Sequence, residues 1–202
     1  SKTCNFEGCR KKLKITDMIQ DKWLGKNLIE RKEYIKEVLG NGSPSQRAIE
    51  IGENIFKECQ IHQLDVNLPI SRLCNIRTKS SQMNWLAINQ DKKSDFFTND
   101  PECREALSVQ QDLLFNIANS GGEKNFYENF KNGVKFRQDE PIIINSKGVM
   151  INGNTRMSAI RKLLDEDELA YQHLLKIPMA ILPPEVTEDD ERFLELRYQV
   201  RP

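Results

Sequence analysis

The segment from residue 141 to residue 164 restricts the fold more than any other part of the sequence. A β-branched run over residues 141–145 and a second apolar run over residues 149–151 flank a turn at Ser146–Gly148. Short apolar runs bounded by turn residues predict strands. From Met157 onward, apolar side chains recur three and four positions apart, which predicts an amphipathic helix. The segment therefore predicts strand, turn, strand and then a glycine-containing bend that opens a helix.

The bend at residues 152–155 has the character of an anion site. Backbone N–H groups and the positive end of the helix dipole gather at a helix start. Arg156 follows the bend, and a cation there is unfavourable by about 0.3–1 kcal/mol unless negative charge, such as a phosphate, lies beside it. The alternative is an ordinary N-cap at Asn154 or Thr155, with Gly153 relieving a tight turn and Arg156 in water. The local pattern alone favours this alternative, because Gly-Asn before a helix is common.

Five elements in a fixed order give the chain a resemblance to the ParB/sulfiredoxin superfamily over about residues 64 to 201. In that superfamily a Gly-x-x-Arg box at a helix start holds nucleotide phosphates, between a Pro-Ile strand and a closing Ile-Pro strand. The corresponding elements here are Leu68–Leu73 with Asn75–Arg77, Pro141–Ile144, the box Gly153–Arg156, Ile177–Ala180, and a last helix with Glu195 and Gln199.

The resemblance implies a nucleotide-binding site at the box. Gly153, Asn154 and Thr155 would supply backbone amides to the phosphates. Arg156 would supply a guanidinium fork, which matches phosphate oxygens in pairs. Arg77, from the Asn-x-Arg segment, would lie across the pocket. The implied ligand is a nucleoside triphosphate, ATP or CTP, with Mg²⁺.

Two carboxylates are implied to carry any chemistry. Glu140 precedes the Pro-Ile strand and would meet a base, a ribose hydroxyl or Mg²⁺. Glu195 would bind metal or act as a general base if the last helix folds over the pocket. Two departures from the family pattern stand against these roles. Thr155 replaces one of the two arginines in the ParB box, and Asn152 stands where many relatives have an aspartate. The box also lacks the cysteine and histidine of sulfiredoxin, so reduction of a sulfinylated protein is not expected.

We expect a mixed α/β (α+β) fold. A ParB/sulfiredoxin-like small mixed sheet flanked by helices would occupy residues 63–202, behind a helical N-terminal extension over residues 1–62. Helical spacing and break residues place the predicted helices outside the box region at Thr16–Leu24, Lys26–Leu39, Ser45–Gln60, Ala106–Asn119 and a final stretch after Thr187. A first strand is predicted from Val66 to Leu73. Phe126, Phe130 and Val134 are spaced as a packing stripe rather than a base-stacking platform.

The charge balance and the cysteine content limit which partners and metal sites are expected. Lys and Arg total 30, as do Asp and Glu, so the formal net charge is zero. This disfavours a protein that binds nucleic acid by general electrostatics, which normally has a basic excess. No apolar run approaches the ~20 residues of a membrane span, so we expect a cytoplasmic protein without membrane contact. Five cysteines, an odd number, favour reduced thiols. A zinc site closed by Cys4, Cys9, Cys59 and His62 is the less favoured alternative, and no metal ligand is predicted.

Four functions follow from these patterns. The favoured one is nucleotide phosphate binding at the box, as a slow NTPase switch coupled to DNA or to a partner protein. DNA contact would run through a region outside these residues, and a homodimer is one expected assembly. The alternatives are a small-molecule phosphotransferase of the free-serine kinase type, a ParB-like DNA nuclease, and a non-enzymatic interaction module with a degenerate pocket.

Overall fold

One mixed sheet organises the chain. The computed structural model describes residues 19–42, 45–120, 125–136 and 140–200, and within these ranges there are six α-helices and one five-stranded sheet. The predicted mixed α/β class is confirmed. The strands are β1 (Ser45–Gly52), β2 (Ile55–Asp65), β3 (Ile142–Ile144), β4 (Met150–Asn152) and β5 (Lys176–Ile181). The helices are α1 (Leu28–Gly40), α2 (Lys79–Ile88), α3 (Arg104–Ala118), α4 (Phe126–Lys131), α5 (Asn154–Glu166) and α6 (Glu188–Val200). Within the same ranges, no helix is both long enough and apolar enough to cross a membrane.

β1 and β2 form an antiparallel hairpin, so the helix predicted from Ser45 to Gln60 is wrong. Ile49 and Ile51 are each 3% exposed and lie two positions apart, which is the spacing of one face of a strand. The chain reverses around Asn54, whose φ of 59° lies in the left-handed region. β2 continues past the boundary predicted between residues 62 and 63, which therefore falls inside a strand.

The strand order β1-β2-β5-β3-β4 places β5 in the centre of the sheet. β5 pairs antiparallel with β2 and parallel with β3, and β3 pairs antiparallel with β4. The strands predicted around residues 141–145, 149–151 and 177–180 are confirmed as β3, β4 and β5. The strand predicted from Val66 to Leu73 is wrong. This fully described segment is irregular, and within it Ile70 alone makes a bridge, to Val149.

The helices pack on both faces of the sheet. Ile142 and Ile144 of β3 join the larger core with α3 and α5, whereas Ile143 joins a smaller core with Leu194 of α6. Alternate residues of a strand point to opposite faces, so α5 and α6 cover opposite faces. Fully burying one such aliphatic side chain contributes roughly 1.5–3 kcal/mol. β3 is therefore fixed from both sides, and the box that follows β4 is built on a rigid support.

A buried arginine fastens α1 to the rest of the chain. The Arg31 side chain is fully buried and makes two hydrogen bonds, of 2.9 and 2.6 Å, to the Glu102 carboxylate. It also donates to the carbonyl oxygens of Lys26 and Lys147, at 2.5 and 2.8 Å. Buried charge of this kind is tolerated when it is paired and hydrogen-bonded. Because Lys147 lies in the turn between β3 and β4, α1 is tied to the strands that precede the box.

Candidate functional site

The box lies at the junction of β4 and α5. Gly153 is the only residue between them and is the N-cap of α5, with φ 93°. A Cβ at this position would lie 2.3 Å from the Ile142 Cδ1 atom, so a side chain is excluded by space as well as by the backbone angle. A glycine N-cap has no side chain that could accept hydrogen bonds from the first turn of α5. The predicted ordinary N-cap at Asn154 or Thr155 is therefore wrong.

Asn154 and Thr155 are 4% and 6% exposed, and their side chains face the interior of the protein. The Asn154 Oδ1 atom accepts a hydrogen bond from the backbone N–H of Arg72 at 3.0 Å, and its Nδ2 donates to the Met150 carbonyl at 3.1 Å. These two bonds join α5, β4 and the segment after β2. A ligand at the box would therefore meet the backbone of these residues rather than their side chains.

Arg156 is held against the protein rather than extended into water. Its side chain is 14% exposed, and its Nη1 donates to the Glu140 carbonyl oxygen at 2.6 Å, with the Glu140 carboxylate at 4.0 Å. The guanidinium carbon lies 5.1 Å from the centre of the Phe136 ring, which is cation–π distance. The structure thus brings two predicted site residues, Arg156 and Glu140, into contact.

Arg72 connects α5 to α6, a role that the sequence reasoning missed. Its Nη1 donates to the Glu191 carboxylate at 2.9 Å, and its Nε lies 3.6 Å from the Glu195 carboxylate. The other oxygen of Glu191 accepts from the Asn145 amide at 2.9 Å. One sequence signal was present: an arginine inside the apolar run from Leu68 to Leu73 needs a carboxylate partner if it is buried.

Glu195 is 4% exposed and accepts a hydrogen bond from the Ile76 backbone N–H at 2.9 Å. Burial raises the pKa of the Glu195 carboxyl above its ordinary value, and the Ile76 N–H, Arg72 and Arg77 act in the opposite direction. Arg77 is exposed, and its backbone N–H donates to the Asn75 side chain at 2.9 Å. The structure therefore places Arg77 beside Glu195 and fixes the Asn-x-Arg segment against α6.

Two buried glutamines hold the Asn-x-Arg segment from its other side. The Gln110 amide donates to the Arg72 carbonyl and to the Thr78 hydroxyl, both at 3.0 Å. The Gln82 amide donates to the Leu73 carbonyl and to the Gln110 side chain, both at 2.7 Å. Satisfied buried polar networks rigidify the groups that they join. Sequence reasoning missed both glutamines because each lies in a helix with no local sign of burial.

Three features meet at the start of α5. These are a glycine N-cap, a packed arginine in the first turn and a rigid neighbouring segment. Across the described ranges, no group of three or more His, Cys, Asp and Glu side chains is placed to hold a metal ion. Cys4 and Cys9 lie outside the described residues, Cys59 is buried in β2, and His62 contacts Gln60 at 3.0 Å. Comparison of the chain with protein-family models, curated proteins and solved structures gives no match.

Proposed function

We propose that this chain is a nucleotide-phosphate-binding domain with a ParB/sulfiredoxin-like fold, and that the box Gly153–Arg156 holds the phosphates. The observation that carries the proposal is the glycine N-cap of α5, which leaves the start of a 13-residue helix without a side-chain cap. Backbone N–H groups at such a start attract anions. The first turn also contains Arg156, whose positive charge there is offset in part by the Glu140 carboxylate at 4.0 Å and would be offset further by a phosphate.

The order of elements supports the superfamily assignment. β3, β4 and α5 follow one another in the chain, and β5 returns parallel to β3. α6 then covers the sheet face opposite α5 and contacts Arg72 and Ile76 through its carboxylates. The Asn-x-Arg segment, the box and the acid-containing helix, which the resemblance lists separately, are thus joined by hydrogen bonds.

The donor set fits the phosphate part of a nucleotide. The backbone N–H groups of Asn154 and Thr155 would face the phosphates, and the guanidinium of Arg156 carries five N–H donors in a fork. Its Nη1 donates to the Glu140 carbonyl at 2.6 Å. A phosphate beside it would meet a cation whose position is already defined. We propose that nucleotide binding is coupled to DNA or to a protein partner.

Mg²⁺ would accompany a bound ATP or CTP and neutralise charge on the phosphate oxygens. Carboxylate oxygens are suitable ligands for Mg²⁺. The Glu140 side chain is 56% exposed beside Arg156, and its carboxylate would meet the ion or the ribose. Glu195 would act from α6 as an acid or base.

Calorimetric titration of ATP, CTP, GTP and ADP with Mg²⁺ tests this function. One nucleotide is expected to bind the unmodified protein, and Arg156→Ala is expected to weaken that binding by at least about 30-fold, because a charge-assisted pair of hydrogen bonds is lost. Arg192→Ala is the matched control, since the Arg192 side chain is 67% exposed on α6. If none of the four nucleotides binds, or if Arg156→Ala binds as the unmodified protein does, the proposal is wrong.

A further inference from the structure

A series of aromatic rings leads from the core to Arg156. Phe126 and Phe130 stack with ring centres 6.4 Å apart at 22°, and Phe130 and Phe136 stack at 6.2 Å and 12°. Of the packing stripe predicted over residues 126, 130 and 134, the third position does not pack, because Val134 is 51% exposed. Phe136 takes the third place and also contacts the Arg156 guanidinium at 5.1 Å. It therefore connects the larger core to the first turn of α5.

The Phe136 ring and the Glu140 carbonyl together define where the Arg156 guanidinium lies. The ring contacts the guanidinium as a π surface, and the carbonyl accepts from Nη1 at 2.6 Å. Phe136 is supported by the larger core, against which it packs, and Glu140 by its position directly before Pro141 and β3.

This support matters for ligand binding because arginine is intrinsically mobile. A guanidinium side chain has many rotamers, so it loses considerable entropy when it is ordered. Ordering it at the moment of binding reduces affinity, and ordering it beforehand removes that penalty. The Glu140 carboxylate, 4.0 Å from Nη1, offsets part of the unfavourable charge of Arg156 in the first turn. A role in presenting the guanidinium to an anion accounts for both supports.

We propose that Phe136 is a positioning residue of the phosphate site, which holds the Arg156 guanidinium in one orientation beside the start of α5. The inference rests on the proposed function for its effect on binding. The orientation itself is a property of the protein without ligand. Phe136 does not touch the phosphate in this proposal and acts through Arg156.

The orientation is tested by NMR on the Arg156 Nε–H resonance. Ring current from Phe136 is expected to displace this resonance, so Phe136→Leu moves it toward the position of a solvated arginine, and Phe136→Tyr preserves it. Phe96→Leu is the matched control, because Phe96 is also a partly buried ring that stacks on another ring, Trp85, and lies 5.6 Å from a cation, Lys92. An Arg156 resonance that is the same in Phe136→Leu and in the unmodified protein would overturn the inference.

The effect on binding is tested with inorganic tripolyphosphate and Mg²⁺, which contain no base. Phe136→Leu is expected to raise the dissociation constant about tenfold, because the guanidinium would then have to be ordered at the moment of binding. Phe136→Tyr is expected to bind within about twofold of the unmodified protein, because a ring is retained. Phe96→Leu is expected to lower the melting temperature without this loss of affinity.

The two proposals fail in distinguishable ways. Tripolyphosphate binding that Phe136→Leu leaves unchanged overturns the positioning role and leaves the phosphate site standing. Binding of tripolyphosphate without binding of any of the four nucleotides overturns the proposed nucleotide function and leaves the positioning role standing. If neither tripolyphosphate nor any of the four nucleotides binds to the unmodified protein, both proposals are overturned.

Discussion

Arg72 links its own segment, which follows β2, to the start of α5 and to α6. Its backbone N–H is bonded to Asn154 at the start of α5, and its guanidinium lies between Glu191 and Glu195 of α6. The side chains of these three charged residues are 13%, 12% and 4% exposed. Removing one partner from such a buried group is strongly destabilising, because the remaining charge is left without compensation. Arg72 is therefore as important for the geometry of the site as the residues of the box.

Glu195→Gln tests the electrostatics of this cluster through its pH dependence. Burial raises the pKa of Glu195 in the folded protein above its ordinary value of 4.5, so the folded state binds this proton more tightly than the unfolded state. The contribution of Glu195 to the free energy of unfolding is then largest below pH 4.5 and decreases as pH rises from there through its folded pKa. The Glu195→Gln variant lacks this titrating carboxyl group and therefore lacks this pH-dependent contribution to the free energy of unfolding. We expect the stability of the variant relative to the unmodified protein to rise over this pH window in denaturant unfolding, and a difference that is flat or falls with pH would contradict the assignment.

Secondary-structure elements whose sequence signal lies within a short segment could be predicted from the local pattern alone. β3, β4, α5 and the glycine bend between them follow from period, turn residues and breaks within residues 141–164. The hairpin over residues 45–65 was not predictable in the same way. Ile49, Ile55 and Phe56 also fit a helical spacing, and the strand state of β2 is stabilised by pairing with β5, more than a hundred residues later in the chain. Tertiary pairing of this kind overrides local propensity.

Gly153→Ala tests whether the bend between β4 and α5 requires glycine. The substitution combines a φ of 93° with a Cβ placed 2.3 Å from Ile142 Cδ1, so we expect it to destabilise the protein by about 3 kcal/mol or more. Gly133→Ala is the matched control. Gly133 has a φ of 83° but no heavy atom within 4 Å of the added Cβ, so only the backbone strain of about 1 kcal/mol is expected. Denaturant unfolding measures both variants, and equal losses would mean that the close approach to Ile142 is unimportant.

The candidate site as a whole is assembled from distant parts of the chain. The bond between Arg72 and Asn154 spans 82 residues, and those from Arg72 and Ile76 to α6 each span 119 residues. The sequence indicated the box, Arg77, Glu140 and Glu195 separately, on the strength of a resemblance. It did not indicate Arg72, Gln110 or Phe136, because their roles depend on which distant residues they meet. Hydrogen bonds and packing across the sheet supply that information.

NMR titration of the backbone amides tests the central claim most directly, since the claim is that the start of α5 holds phosphates. On addition of Mg²⁺ with ATP, CTP, GTP or ADP, the amide resonances of Gly153, Asn154, Thr155 and Arg156 are expected to shift and to saturate together for the nucleotide that binds. Amides on the exposed face of α2, such as that of Met83, whose side chain is 64% exposed, are expected to stay in place. Saturable shifts confined to another part of the chain, or none at all with any of the four nucleotides, would contradict a phosphate site at the box.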